Sequence, residues 1–144
     1  DCMMQGDYVF TFVRNPFARV ISAYHFLRKG GIVSEDTKDA YLLGVNVLSL
    51  NDFIKYRLQE AARWQVHFVP QYLWLQGSSN VKVFNYESMV DDFTSICEDL
   101  GIEKRELKWI NKSRQKDSID TSLNRRSRHI IRKVYNKDFV KFDY

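Results

Sequence analysis

The sequence predicts an α/β domain, and three observations carry that prediction. Residues 8–13 (YVFTFV) are aromatic or β-branched and suit a strand covered on both faces. They run at once into a helix-start signal, Asn15-Pro16. A second segment, residues 81–86 (VKVFNY), alternates apolar and polar side chains and again leads into a helical pattern. With 144 residues and 15% aromatic side chains, residues 1–144 read as a single domain able to bury a real core.

Taken in order, the first strand runs out at Arg14, and a helix over residues 16–29 stops at Gly30-Gly31. Residues 32–46 are polar and read as an irregular loop. Ser49 or Asn51 caps a helix running to about Arg63, with Phe53, Ile54, Leu58 and Ala61 or Ala62 as its apolar stripe. Pro70 breaks the aromatic segment that follows. After the second strand, Glu87 supports a helix end or pairs with a basic neighbour. A helix from Asp91 or Asp92 to Leu100 turns Phe93, Ile96, Cys97 and Leu100 inward, and Gly101 ends it. Cys97 reads as a buried thiol, and together with Cys2 it offers neither a metal-ligand spacing nor a disulfide framework. Residues 102–122 are polar and loop-like, anchored by Trp109 and Ile110. Residues 123–135 form one helix with Leu123, Ile130, Ile131, Val134 and Tyr135 as its stripe, and Arg125, Arg128 and Arg132 share another face.

The chemistry concentrates where the first strand becomes a helix. Unpaired N–H groups and the positive end of the helix dipole gather there, and Arg14 adds a forked, permanently charged donor, so the turn suits a phosphate. Arg19 and Ser22, three residues apart, are neighbours on one helix face, and Arg14 and Ser22 are spaced to close on one phosphate. The alternative is that Arg14 pairs with a carboxylate and Ser22 packs against backbone. His67 has two readings of equal weight: a base that takes a proton from a hydroxyl, or a loop residue that hydrogen-bonds backbone along with Gln71.

The segment from Phe12 to Tyr24 (FVRNPFARVISAY) resembles the 3′-phosphate-binding segment of sulfotransferases that use 3′-phosphoadenosine-5′-phosphosulfate (PAPS), in particular the carbohydrate-sulfating branch. Residues 67–71 (HFVPQ), Asn111-Lys-Ser113 and a closing stretch with Tyr135, Asp138 and Phe142-Asp-Tyr144 support it in order and spacing. The resemblance implies a P-loop-NTPase-like, three-layer α/β/α fold around a central parallel sheet. It also implies that Arg14 and Ser22 bind the 3′-phosphate, that Arg19, Asn111 and Ser113 lie near the cofactor, and that a sulfuryl group passes in line to a hydroxyl without an obligatory metal. The Pro-Lys-x-x-x-Thr/Ser loop that wraps the 5′-phosphosulfate in such enzymes is not found upstream of Tyr8. The expectation is therefore a domain whose N-terminal part is missing, and a poor catalyst by itself. Any membrane anchor would belong to that part; animal relatives are often held in the Golgi, while bacterial and viral ones can be soluble.

The 22 Lys and Arg against 18 Asp and Glu leave a formal charge of +4, concentrated in residues 104–141. Such a surface suits an anionic nucleotide and a carbohydrate acceptor, an acidic glycan included; nucleic acid is not the expected partner. A kinase-like P-loop enzyme would need a glycine-rich Lys-Ser/Thr loop that the chain lacks. A non-enzymatic polyanion-binding module, or an inactive truncated relative, is the competing reading.

Overall fold

The computed structural model describes residues 8–78, 80–104, 107 and 123–144. Strands β1 (Val9–Val13) and β2 (Val81–Asn85) pair in parallel, in register from Val9 opposite Val81 to Val13 opposite Asn85. A parallel pair cannot be closed by a tight turn. The crossover here carries five helices: α1 (Pro16–Arg28), α2 (Ser34–Leu43), α3 (Leu50–Tyr56), α4 (Leu58–Trp64) and α5 (Gln71–Trp74). After β2 come a 3₁₀ turn (Tyr86–Ser88), α6 (Met89–Leu100), α7 (Arg125–Val134) and α8 (Asn136–Lys141). The α/β class and the parallel pairing are as the sequence implies. Because the strands run the same way and end in register, Arg14 and Tyr86 leave the sheet side by side.

The core lies between α1 and the helices that follow it. Tyr24, Leu27, Phe53, Leu58, Phe68, Ile131 and Tyr135 are all buried there. Phe53 contacts Tyr24 and Phe68 at ring-centroid distances of 5.7 and 5.0 Å. The polar tips of the buried tyrosines are satisfied, as burial demands: Tyr24 donates to Leu48 O at 2.7 Å and Tyr135 to Phe68 O at 2.6 Å.

Several local expectations need correction. Residues 32–46 are not an irregular loop, because α2 occupies most of them. It lacks a side-chain N-cap and buries only Asp36, Ala40 and Leu43. Ile32, Tyr41, Leu42 and Val47 face outward, so no apolar stripe announces it. Asp36 holds the entry by accepting from the N–H groups of Ile32 and Val33 at 2.9 and 3.2 Å. The helix expected to run to Arg63 is broken at Arg57 into α3 and α4, with Ser49 as the cap of α3. Asn51 instead reaches across to α7, where its Oδ1 accepts from Ser127 Oγ at 2.7 Å and from Asn124 N at 3.1 Å.

The second strand ends at Asn85, with Tyr86 already in the 3₁₀ turn. Helix α6 starts at Met89 and leaves Leu100 exposed; Ile96 and Cys97 are buried as expected, and Gly101 ends the helix at φ 62°. The last expected helix divides into α7 and α8, with Leu123 buried just ahead of α7. Nor is β1 covered on both faces, since Phe10 is 37% exposed. Among the described residues, no helix is long and apolar enough to cross a membrane.

Candidate functional site

The site is built on the turn from β1 to α1. Asn15 Oδ1 accepts from Phe17 N–H at 3.0 Å, Pro16 needs no partner, and α1 begins as its sequence dictates. The Arg14 guanidinium lies 4.8 Å from the centre of the Tyr86 ring, where a cation is held by the π face while its N–H edges stay available. It makes no ion pair with a described carboxylate.

The backbone beneath that guanidinium is clamped from two sides. On one side, Arg14 N–H donates to Gln71 Oε1 and Gln71 Nε2 donates back to Arg14 O, each at 2.9 Å. Gln71 is itself fixed by Asp138, a fully buried carboxylate whose two oxygens accept from the N–H groups of Gln71 and Tyr72 at 2.8 and 2.9 Å. Asp138 thus does for α5 what an N-cap side chain would, since Pro70 carries no such group. On the other side, Glu87 Oε1 accepts from Asn15 N–H at 3.0 Å. Tyr144 Oη stands 2.7 Å from Glu87 Oε2 and 3.0 Å from Val13 O and shares its one proton between them. Burial and the neighbouring carboxylate both push the Tyr144 phenol up, so it remains a neutral donor.

This narrows the picture of a turn with its N–H groups open. Phe17 N–H is taken by Asn15 and Asn15 N–H by Glu87, because the positive end of α1 favours a carboxylate from within the chain. The Arg14 guanidinium stays open to an external anion, as does the N–H of Ala18, which has no partner among the described residues. Ser22 sits half-buried on α1 away from the core, and its hydroxyl has no hydrogen-bond partner among the described residues. Arg19, three residues earlier, is turned toward α5. Its Nη2 donates weakly to Val66 O at 3.4 Å, and it lines a cavity of about 230 Å³ with Thr11, Phe12, Val13, Gln71, Trp74 and Leu75. Desolvation lowers its pKa, with Tyr135 and Asp138 acting the other way.

His67 stands elsewhere. Its ring meets Phe26 edge-on at 4.8 Å, and Nε2 lies 3.3 Å from Asp36 Oδ1. Phe26 is ten residues beyond Pro16 on α1, about 15 Å along a helix that rises 1.5 Å per residue. No contact joins His67 to Arg14. The expectations for Asn111 and Ser113 fall outside the described residues.

Gln71, Glu87, Asp138 and Tyr144 are the residues that sequence reasoning undervalued. Glu87 was expected at a helix end and is there, and Gln71 does bond backbone, but their shared target, the Arg14 turn, has no local signal. Their partners lie 57 to 131 residues away.

A profile of the sulfotransferase family matches residues 3–144. No curated protein and no solved structure matches the chain. The family match takes in every part just described, from the β1–α1 turn through Gln71 and Glu87 to the closing helices. An arginine presented on a clamped strand-to-helix turn, in a chain matched over this length, leads to one conclusion: the protein belongs to the sulfotransferase family, and its chemistry is sulfuryl transfer.

Proposed function

We propose that the protein uses PAPS and transfers its sulfuryl group to a hydroxyl of a carbohydrate acceptor, with Arg14 and Ser22 holding the 3′-phosphate. The observation that carries this is the Arg14 guanidinium. It is uncompensated by a described carboxylate, backed by the Tyr86 ring, and fixed at its backbone by Gln71 and Glu87. A positioned cation with free N–H edges fits a dianionic phosphate, and the free Ser22 hydroxyl adds a neutral donor. Arg19, Asn111 and Ser113 complete the proposed cofactor contacts.

When bound, PAPS supplies the sulfuryl group and leaves as adenosine 3′,5′-bisphosphate; the chain's own contribution in this region is binding and orientation. We assign no proton transfer to His67, because its contacts with Asp36 and Phe26 support the start of α2.

The test is calorimetric titration with adenosine 3′,5′-bisphosphate, using 5′-AMP as the control that lacks the 3′-phosphate. Losing one charge-assisted contact costs about 1.5–3 kcal/mol, so Arg14→Ala should weaken binding about 10- to 100-fold. Ser22→Ala should weaken it less, and 5′-AMP binding should respond to neither. Equal loss of both nucleotides would remove the 3′-phosphate assignment. Steeply salt-dependent polyanion binding with no nucleotide affinity would point instead to a basic binding module.

A further inference from the structure

Helix α2 is anchored on one side and unpartnered on the other. Ala40 and Leu43 are buried against the domain. Asp36 Oδ1 lies 3.3 Å from His67 Nε2 while Oδ2 holds the helix entry, and Asp39 Oδ2 accepts from the buried Gln65 side chain at 3.3 Å. These contacts fix the helix, so its outer face is presented in one orientation. With about 3.6 residues per turn, Glu35, Lys38, Tyr41 and Leu42 stand on the side away from Asp36, Ala40 and Leu43. Tyr41 is 80% exposed and Leu42 66%, and at the entry Ile32 is 78% and Val33 53% exposed. Single exposed apolar residues are ordinary, but four grouped on one short helix and its entry make a patch suited to meet another surface.

The charges on this face identify the partner. Of the four charged residues of α2, Asp36 and Asp39 are engaged on the anchored side, which leaves Glu35 and Lys38, one of each sign. Glu35 accepts from Ser34 Oγ at 2.9 Å, and neither residue forms an ion pair with a described residue. The nearest charges before α2 are Arg28, which donates to Tyr24 Oη, and the exposed Lys29; the next after it is Asp52, bonded to Ser49. A face with an acid and a base three residues apart and apolar residues at both ends complements itself when turned end for end. In an antiparallel pairing about a two-fold axis, the register that sets Glu35 opposite the partner's Lys38 also sets Lys38 opposite the partner's Glu35 and Tyr41 opposite the partner's Ile32. We propose that the outer face of α2 is the contact surface of a two-fold homodimer in this register. Because Glu35 and Lys38 cancel, the face has no preference for a polyanion or an anionic membrane. One short helix per copy is a small contact, so the dimer belongs to the weak class that buries less than about 1,200 Å² in total.

The test is sedimentation equilibrium of the chain from micromolar to millimolar concentration, which should show a reversible monomer–dimer equilibrium. Leu42→Ser probes the face without touching its charge; symmetry removes the contact twice, so the dimer should weaken about tenfold. Glu35→Lys and Lys38→Glu each turn two attractions into two repulsions and should also weaken it about tenfold. Mixed in equal amounts, those two variants should associate with each other at about wild-type strength, since each supplies the charge the other lacks. The Glu35→Lys/Lys38→Glu double variant should do so by itself.

A chain that stays monomeric up to millimolar concentration would overturn the proposal and leave the face to a different protein or to another segment of a longer chain. A dimer indifferent to Leu42→Ser and to both charge reversals would overturn it too, because some other surface would then hold the copies together. Single variants that weaken association but recover neither on mixing nor in the double variant would show damage to α2 in place of lost pairing, and would refute the register.

Discussion

Replacing Gln71 tests whether the clamp on Arg14 governs the proposed anion site. Gln71→Leu keeps most of the side-chain volume but removes both hydrogen bonds, the one accepted from Arg14 N–H and the one donated to Arg14 O. Each bond is worth about 1 kcal/mol net, and the two half-buried peptide groups are left without their partner, so unfolding should become easier by about 2–3 kcal/mol. For a chain of this size that is a fall of about 5–10 °C in Tm. Gln71→Glu separates the two bonds. Its carboxylate still accepts from Arg14 N–H, but its second oxygen faces the Arg14 carbonyl, two acceptors in opposition. Protonation restores a donor there, so the carboxyl is bound more tightly neutral than charged and its folded-state pKa is raised. The deficit relative to wild type should therefore shrink as pH falls through that raised value.

The functional readout is a double-mutant cycle on adenosine 3′,5′-bisphosphate affinity. Gln71→Leu should weaken binding about five- to tenfold in the wild-type background and have little effect beside Arg14→Ala, since Gln71 acts through the arginine it holds. An equal loss in both backgrounds, or a Gln71→Leu variant as stable as wild type, would refute the reasoning.

Two further outcomes concern the scaffold. Gly31 sits at φ 65°, and a Cβ there would come 2.1 Å from Asp36 Cβ, whereas Gly77 at φ 80° has nothing within 4 Å of such an atom. Both Ala variants meet the left-handed backbone cost of about 1–2 kcal/mol, but Gly31→Ala should lose about 1–2 kcal/mol more in urea unfolding because the entry to α2 must shift. Tyr135→Phe leaves the Phe68 carbonyl unpaired in the core and should cost about 1–2 kcal/mol near neutral pH. Burial raises the Tyr135 pKa above its ordinary 10.0, so its neutral form is the one the fold prefers. That contribution is fully present below the ordinary value and is lost as pH rises above it, and Tyr135→Phe should flatten this part of the alkaline loss, read as Tm against pH.

What the sequence made legible was local. Asn15-Pro16 after an apolar strand has its own steric and hydrogen-bonding logic, and the structure follows it residue for residue. So do the glycine stop after α6 and the burial of Cys97. Helix α2 escaped notice because Tyr41 and Leu42 stand on its outward side while Asp36 stands on its buried one, so no clean apolar stripe forms, and because its entry is tied by Asp36 three residues in, which periodicity cannot see. Arg57 broke a helix whose apolar stripe ran on unchanged through α3 and α4. The site divided the same way. The places of Arg14 at the end of β1 and of Ser22 on α1 were visible from the sequence, while their joint hold on a phosphate is a proposal. That Glu87 would occupy the turn's own N–H, or that His67 would meet Asp36, depends on the relative placement of elements dozens of residues apart.

The relay from Asp138 through Gln71 to Arg14 also bears on the order in which the protein matures. A ribosome releases the strand, the arginine and the first helix well before the aspartate that orients their clamp, and loop closure across such separations is slow. Helical signal should therefore recover early in refolding, while the proposed nucleotide binding should arrive only once α8 has docked. Truncations or chaperones that delay that docking would leave a folded-looking chain whose Arg14 is not yet positioned for the proposed cofactor contact.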